Sequence, residues 1–122
     1  MRLLSKFLAA FALVALLAFS SGPASAHAVL VQSTPAANGS VAGPSVAFSL
    51  RFNSRIDAAR SVLTLTHPDK STSTLPVATG AEASDLEAKA ELPPGAYSLR
   101  WQVLAVDGHI TRGDVAFTVT GN

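Results

Sequence analysis

Residues 27–122 alternate between hydrophobic and polar positions with a period of two, the spacing of β-strands that bury one face. In the clearest run, Val46, Phe48, Leu50 and Phe52 alternate with small or charged residues. Runs of the same kind recur along the chain, separated by turn residues. About seven strands follow from this pattern, over residues 28–32, 46–52, 61–66, 73–77, 85–90, 97–103 and 115–119.

Turn-forming residues separate the predicted strands, because proline and glycine fix or permit the backbone angles that tight turns need. About seven short strands with this punctuation predict an all-β fold, a small antiparallel Ig-like Greek-key β-sandwich. We expect its hydrophobic centre at Phe48, Phe52, Trp101 and Phe117. The turns are Thr34-Pro35, Asn38-Gly39, Gly43-Pro44, His67-Pro68-Asp69, Pro93-Pro94-Gly95 and Asp107-Gly108.

Two stretches lack a clear period. Residues 69–83 are rich in Ser, Thr and Ala, which indicates a mobile connection or an irregular edge strand. Residues 58–60 favour a helical turn at most.

The first 26 residues have the pattern of a secretory signal peptide. Arg2 and Lys6 supply a positive start, residues 7–19 form an apolar run, and Ala24-Ser25-Ala26 is a small-x-small cleavage site. The alternative is a membrane anchor, but the run is shorter than the roughly 20 residues that span a bilayer. We therefore expect a signal over 1–26 and a mature domain over 27–122, exported to the periplasm and not embedded in the membrane.

Charge and cysteine content narrow the functional classes. The chain has nine basic and eight acidic residues, and loss of Arg2 and Lys6 leaves seven basic residues against eight acidic ones. No basic patch remains, which argues against nucleic acid as a partner. The absence of cysteine excludes zinc-finger, iron–sulfur, blue-copper and thiol-redox sites. It also leaves a small domain that depends on packing without disulfides.

Cleavage after Ala26 makes His27 the first residue of the mature chain. Such a histidine offers two nitrogens from one residue, the freed α-amine and a ring nitrogen. The ordinary pKa of an α-amine is about 7.7–8.0 and that of a histidine is about 6.5. Near neutral pH, both groups can therefore release a proton to a metal at moderate cost. Nitrogen donors with a carboxylate suit Cu(II), and zinc is the main competitor.

A second candidate pair, Asp107 and His109, follows the strand predicted over 97–103. Residues two apart share a face in a strand, and Gly108 permits a tight turn between them. A continued strand and a tight turn would each direct the carboxylate and the imidazole at one ion. The alternative is an ordinary Asp-Gly turn followed by an exposed histidine.

Taken together, these motifs resemble the CopC copper-resistance family. The resemblance rests on the ordered segments HAVL (27–30), STPA (33–36), LPPGAYSLRW (92–101) and VDGH (106–109), with Gly113. It implies a periplasmic, non-enzymatic Ig-like sandwich that holds one Cu(II) ion. The α-amine and a ring nitrogen of His27 would bind the ion, and Asp107 and His109 would complete the site. A copper transporter of the CopD type in the inner membrane is the partner that the resemblance implies.

Two departures from the family are informative. Some members bind Cu(I) through a methionine-rich loop, whereas Met1 is the only methionine here and is removed with the signal. Some members also place a glutamate near the metal, and Ser54 stands at about that position. The sequence therefore predicts a single Cu(II) site, with Thr111 or Arg112 as a candidate hydrogen-bond partner of a ligand.

Two other functions are compatible with the same residues. An amino-terminal histidine near a second histidine resembles the copper brace of polysaccharide monooxygenases, which are oxidoreductases. A metal-free Ig-like interaction module is the other alternative, because fold alone does not determine function. His67, within a His-Pro-Asp turn, is expected to be a solvated turn residue.

Overall fold

The computed structural model describes residues 27–121. The predicted signal peptide, 1–26, lies outside the described residues. The described part of the chain contains no helix, and so none that is long and apolar enough to cross a membrane. It forms nine strands: β1 (Leu30–Thr34), β2 (Gly39–Ala42), β3 (Ser45–Phe52), β4 (Ile56–Thr66), β5 (Thr72–Leu75), β6 (Ala78–Thr79), β7 (Asp85–Glu91), β8 (Gly95–Ala105) and β9 (Ile110–Thr120).

The strands form two sheets that enclose the core. One sheet has the order β1-β3-β7-β6, and the other has the order β2-β9-β8-β4-β5. All neighbouring strands are antiparallel except β2 and β9, which pair in parallel. The predicted all-β, Ig-like sandwich is therefore confirmed.

The core lies between the sheets, as the period-two pattern predicts. The residues expected at its centre are all buried, with at most 8% of each exposed, in the case of Trp101. Phe48 packs edge-on against Phe117 at a centroid distance of 5.5 Å, and Phe52 packs in the same way against Trp101 at 5.2 Å. Such edge-to-face pairs join the two sheets with a geometry that aromatic quadrupoles favour.

Strand β4 corrects the expectation of a helical turn over 58–60. These residues belong to an eleven-residue strand whose register with β8 shifts between Asp57 and Val62. The Ser61 hydroxyl spans this bulge by donating to the Asp57 carbonyl at 2.7 Å. A bulge places extra residues on one strand, which interrupts the alternation that identifies a strand from sequence.

Two short strands were missed by the sequence pattern. Residues 38–39 were expected to be only a turn, but β2 begins at Gly39 and pairs along the edge of β9. The other missed strand is β6. It lies in the 69–83 segment together with β5, which corresponds to the strand predicted over 73–77. Both strands lie at sheet edges, so the edge-strand interpretation of this segment is the one observed. Strands of two to four residues are too short to show a period. They form because a longer neighbouring strand hydrogen-bonds to them, as β9 does to β2 and β7 does to β6.

The sandwich brings three separate segments to one end. Strands β8 and β9 pair as far as Leu104 and Ile110, and the loop 106–109 closes this hairpin. Residues 27–29 lead into β1, whose first residue, Leu30, pairs with Phe52 at the end of β3. The turn 53–55 between β3 and β4 lies beside both segments, through the contacts described below.

Candidate metal centre

The loop 106–109 is fixed by main-chain hydrogen bonds. The amide of Gly108 donates to the Ala105 carbonyl at 2.9 Å, and the amide of Ala105 donates to the His109 carbonyl at 2.8 Å. Gly108 has a φ of 93°, a conformation that side chains disfavour. The glycine between the two candidate ligands is therefore needed for the turn itself.

Within this loop, Asp107 holds His109 at two points. Its Oδ1 accepts the main-chain N–H of His109 at 3.0 Å, and its Oδ2 lies 2.7 Å from His109 Nδ1. Because an ionised carboxylate has no proton to give, Nδ1 must be the donor. In the neutral ring, Nε2 then keeps its lone pair for another partner. A carboxylate that fixes the tautomer in this way is characteristic of metal-binding histidines.

The same contacts stabilise the charged form of Asp107. Hydrogen bonds from the His109 main chain and then from its side chain lower the pKa of the carboxyl, with smaller electrostatic contributions from His109 and His27. Partial desolvation acts in the opposite direction. A carboxyl of this kind is ionised at neutral pH, so it brings negative charge to this end of the sandwich.

His27 lies directly beside this pair. The ring centroids of His27 and His109 are 4.6 Å apart, and the ring planes meet at 61°. Both residues are exposed to solvent. The structure therefore brings together the three residues that the sequence singled out, although His27 and the loop 106–109 are far apart in the sequence.

Residues 27–29 form no strand, yet they are held firmly. Ala28 is only 2% exposed. Its carbonyl accepts a hydrogen bond from Thr111 Oγ1 at 2.9 Å. Asn53 makes two hydrogen bonds with the main chain of Val29. Its side-chain Oδ1 accepts the Val29 N–H at 2.8 Å, and its main-chain N–H donates to the Val29 carbonyl at 2.9 Å.

These contacts revise the expected surroundings of the site. Thr111 was a candidate partner for a ligand side chain, but it bonds the main chain next to His27. Arg112 instead donates to Gln102 at 2.7 Å. Asn53 was missed by the sequence analysis; an asparagine after a strand commonly bonds nearby main chain, which was the available signal.

Ser54 follows Asn53, and the main-chain carbonyl of Arg55 accepts a 3.4 Å hydrogen bond from the main-chain N–H of Val106. The turn 53–55 thus touches both segments of the candidate site. The Ser54 hydroxyl oxygen is buried and has no hydrogen-bond partner among the described residues. No carboxylate stands at this position.

Side chains alone do not complete a metal site. Within residues 27–121, no set of three or more His, Cys, Asp or Glu side chains is arranged to hold an ion. Two imidazoles and a carboxylate do converge, but both Asp107 oxygens face His109. The main-chain nitrogen of His27 would be a further donor, and it becomes an amine only if the chain is cleaved before it. Nitrogen donors with a nearby carboxylate fit the preferences of Cu(II).

The remaining histidine lies elsewhere. His67 follows β4, and the β4 residue before it, Thr66, pairs with Ser98 near the opposite end of β8. Its Nε2 lies 2.9 Å from Ser73 Oγ, and its ring packs edge-on against Tyr97. His67 is a half-buried turn residue, partnered rather than freely solvated.

The chain is similar in sequence and in fold to several known proteins. The chain is 33% identical over 102 residues to Protein YobA of Escherichia coli (strain K12), an alignment that covers 77% of this chain and 79% of that protein. The structure of CopC from Methylosinus trichosporium OB3b matches with a TM-score of 0.71 and 29% identity, over 79% of this chain and 96% of that one.

PcoC from Escherichia coli, a methionine-rich copper resistance protein, matches with a TM-score of 0.65 and 29% identity, over 78% of this chain and 100% of that one. The CopC domain family matches residues 30–120, nearly the whole described region. The resemblance drawn from the sequence motifs is therefore confirmed, and the chain belongs to the CopC family.

Proposed function

We propose that this protein is exported to the periplasm, where it holds one Cu(II) ion at His27 of the mature chain. The α-amine and a ring nitrogen of His27 bind the ion together with His109 Nε2, and Asp107 completes the site. The observation that carries this proposal is the 4.6 Å approach of the His27 and His109 rings. Membership of the CopC family supports copper as the metal.

The donor atoms favour the oxidised ion. Cu(II) prefers nitrogen and oxygen ligands, whereas Cu(I) prefers thiolates and thioethers. The chain has no cysteine, and its one methionine, Met1, precedes the proposed cleavage site. In this respect it differs from PcoC, which is described as methionine rich. These donor atoms favour a single Cu(II) site and no separate Cu(I) site.

The position of the site suits a carrier. His27 and His109 are exposed at one end of the sandwich, so an acceptor can approach the ion directly. We therefore assign a non-enzymatic role in copper homeostasis and resistance, in which the protein buffers Cu(II) or delivers it to an inner-membrane transporter of the CopD type. Amine and imidazole nitrogens must be free of the proton that occupies the donor position to bind a metal, so such binding weakens in acid.

Copper titration of the mature protein tests this proposal. A variant with one alanine inserted before His27 converts the amine to a peptide nitrogen and leaves every side chain in place. We expect this insertion to weaken Cu(II) binding severely, and His109→Ala to weaken it as well. His67→Ala is the matched control, because this histidine lies at the other end of the sandwich, and it should bind as the unaltered protein does. Equal affinity of the inserted and mature forms would remove the amine from the site, and no binding by any form would leave a metal-free module.

The pairing of an amino-terminal histidine with a second histidine also favours a second candidate, a histidine-brace oxidoreductase. Oxygen chemistry needs an accessible coordination position on the metal. Oxygen reduction and glycan cleavage by the copper-loaded protein with a reductant distinguish the two. The carrier proposal expects no turnover above free copper, and clear cleavage of a glycan would replace it.

A further inference from the structure

One peptide unit beside the candidate site is held at both of its ends. The unit joins Ala28 to Val29. Its carbonyl oxygen accepts a 2.9 Å hydrogen bond from Thr111 Oγ1, and its N–H donates a 2.8 Å hydrogen bond to Asn53 Oδ1. Its plane therefore cannot rotate without breaking at least one of these bonds.

The two residues that hold it come from opposite sides of the sandwich. Thr111 is the second residue of β9, on the face that Val115 and Phe117 turn to the core, and it is half-buried. Asn53 directly follows β3 of the other sheet. The Ala28 side chain is buried beside them. Thr111 thus joins the start of the mature chain to the strand that carries the loop 106–109.

Little freedom remains between this peptide unit and the proposed donor atoms. The His27 amine is separated from it by three main-chain torsions, ψ of His27 and both φ and ψ of the buried Ala28, and the imidazole adds two side-chain torsions. A chain end ordinarily loses conformational entropy when it binds a ligand. Ordering it beforehand reduces that loss and strengthens binding.

We propose that Thr111 is a positioning residue for the amino-terminal copper chelate: through the Ala28 carbonyl, its hydroxyl holds His27 beside His109. This inference rests on the proposed function. Thr111 does not touch the ion. Its hydroxyl acts through the main chain, and Asn53 holds the other end of the same peptide unit.

The substitution Thr111→Val keeps the shape of the side chain and removes the donor. Loss of one such hydrogen bond predicts Cu(II) binding about threefold to tenfold weaker in a chelator competition. The Cu(II) electron paramagnetic resonance spectrum should broaden, since His27 would sample several orientations. Thr111→Ser retains the hydroxyl and should restore both affinity and spectrum. The control is Thr118→Val, an exposed threonine on the same strand that pairs with Ala96 far from the site.

A double-mutant comparison separates positioning from a general effect on the fold. With an alanine inserted before His27 the chelate is already lost, so Thr111→Val should cause no further loss of copper affinity. Equal losses with and without the insertion would overturn the proposal, as would a Thr111→Val protein that binds copper like the unaltered one.

The role of the hydroxyl is also measurable without metal. Thr111→Val should speed hydrogen exchange of the Val29 amide, which Asn53 holds, while Thr118→Val should not. If the mature protein fails to bind copper, the proposed function fails, and an accelerated exchange still supports Thr111 as the residue that orders the chain start. Unchanged exchange in Thr111→Val would refute that ordering whether or not copper binds.

Discussion

Replacing Asp107 with asparagine changes one atom of the candidate site and should change the protonation of His109. The main-chain N–H of His109 bonds Oδ1 at 3.0 Å, and asparagine can still accept that bond. The position of Oδ2, 2.7 Å from Nδ1, becomes an NH₂ group that only donates. His109 must then accept at Nδ1 and carry its proton on Nε2.

This change of tautomer blocks the nitrogen that we assign to the metal. The substitution also removes a negative charge beside a cation. Loss of a carboxylate that orients a metal-bound histidine typically weakens metal binding about 10- to 100-fold, or about 1.4–2.7 kcal/mol. We therefore expect the dissociation constant for Cu(II) to rise by about that factor in Asp107→Asn.

A chelator competition measures this affinity, and long-range ¹H–¹⁵N spectra of the metal-free protein report the His109 tautomer. Asp69→Asn is the matched control. Asp69 Oδ1 also accepts a main-chain N–H two residues later, from Ser71 at 2.9 Å, but in the turn between β4 and β5. It should not change copper binding. An Asp107→Asn protein with unchanged affinity, or with its proton still on Nδ1, would refute the reasoning.

Three further predictions concern stability. Gly113→Ala should destabilise the fold by about 1–3 kcal/mol in chemical denaturation, since its Cβ would lie 2.6 Å from Trp101 Cε2; an equally stable variant would contradict the packing. The Arg51 hydrogen bond lowers the pKa of Asp85, so the resulting stability is present above about pH 4 and is lost as pH falls through the lowered value. Asp85→Asn should flatten that acid dependence, and an unaltered acid profile would show that the pair contributes nothing. Finally, Cu(II) at about a thousand times its dissociation constant should add about 4 kcal/mol and raise Tm by roughly 15–30 °C, with a smaller rise for Zn(II); no shift with either ion would mean that neither binds the folded state.

The sequence pattern identified strands wherever inward positions carry large apolar side chains. It placed the start of the last strand at residue 115, whereas β9 begins at Ile110. The reason lies in two inward positions. Thr111 bonds the Ala28 carbonyl, and Gly113 leaves space for the Trp101 ring. Both break the hydrophobic alternation because they serve contacts with distant segments.

The candidate site likewise has features that the sequence predicts and features that depend on distant segments. The candidate ligands His27, Asp107 and His109 can be predicted from the sequence, because a small-x-small cleavage pattern and an Asp-Gly-His turn are local patterns. Their proximity is not local. It depends on the register of β8 with β9 and on the turn that carries Asn53. Asn53 is a residue type that commonly bonds main chain, but nothing in the sequence indicates that the main chain it bonds is that of Val29.

The central claim is that the His27 amine, the His27 ring and His109 meet at one copper ion. Crystals of the mature, copper-loaded protein, measured on both sides of the copper absorption edge, test it directly. We predict a single anomalous peak within bonding distance of the His27 main-chain nitrogen and of both imidazoles. A peak elsewhere on the sandwich, or one bound through His109 without the His27 nitrogen, would contradict the account.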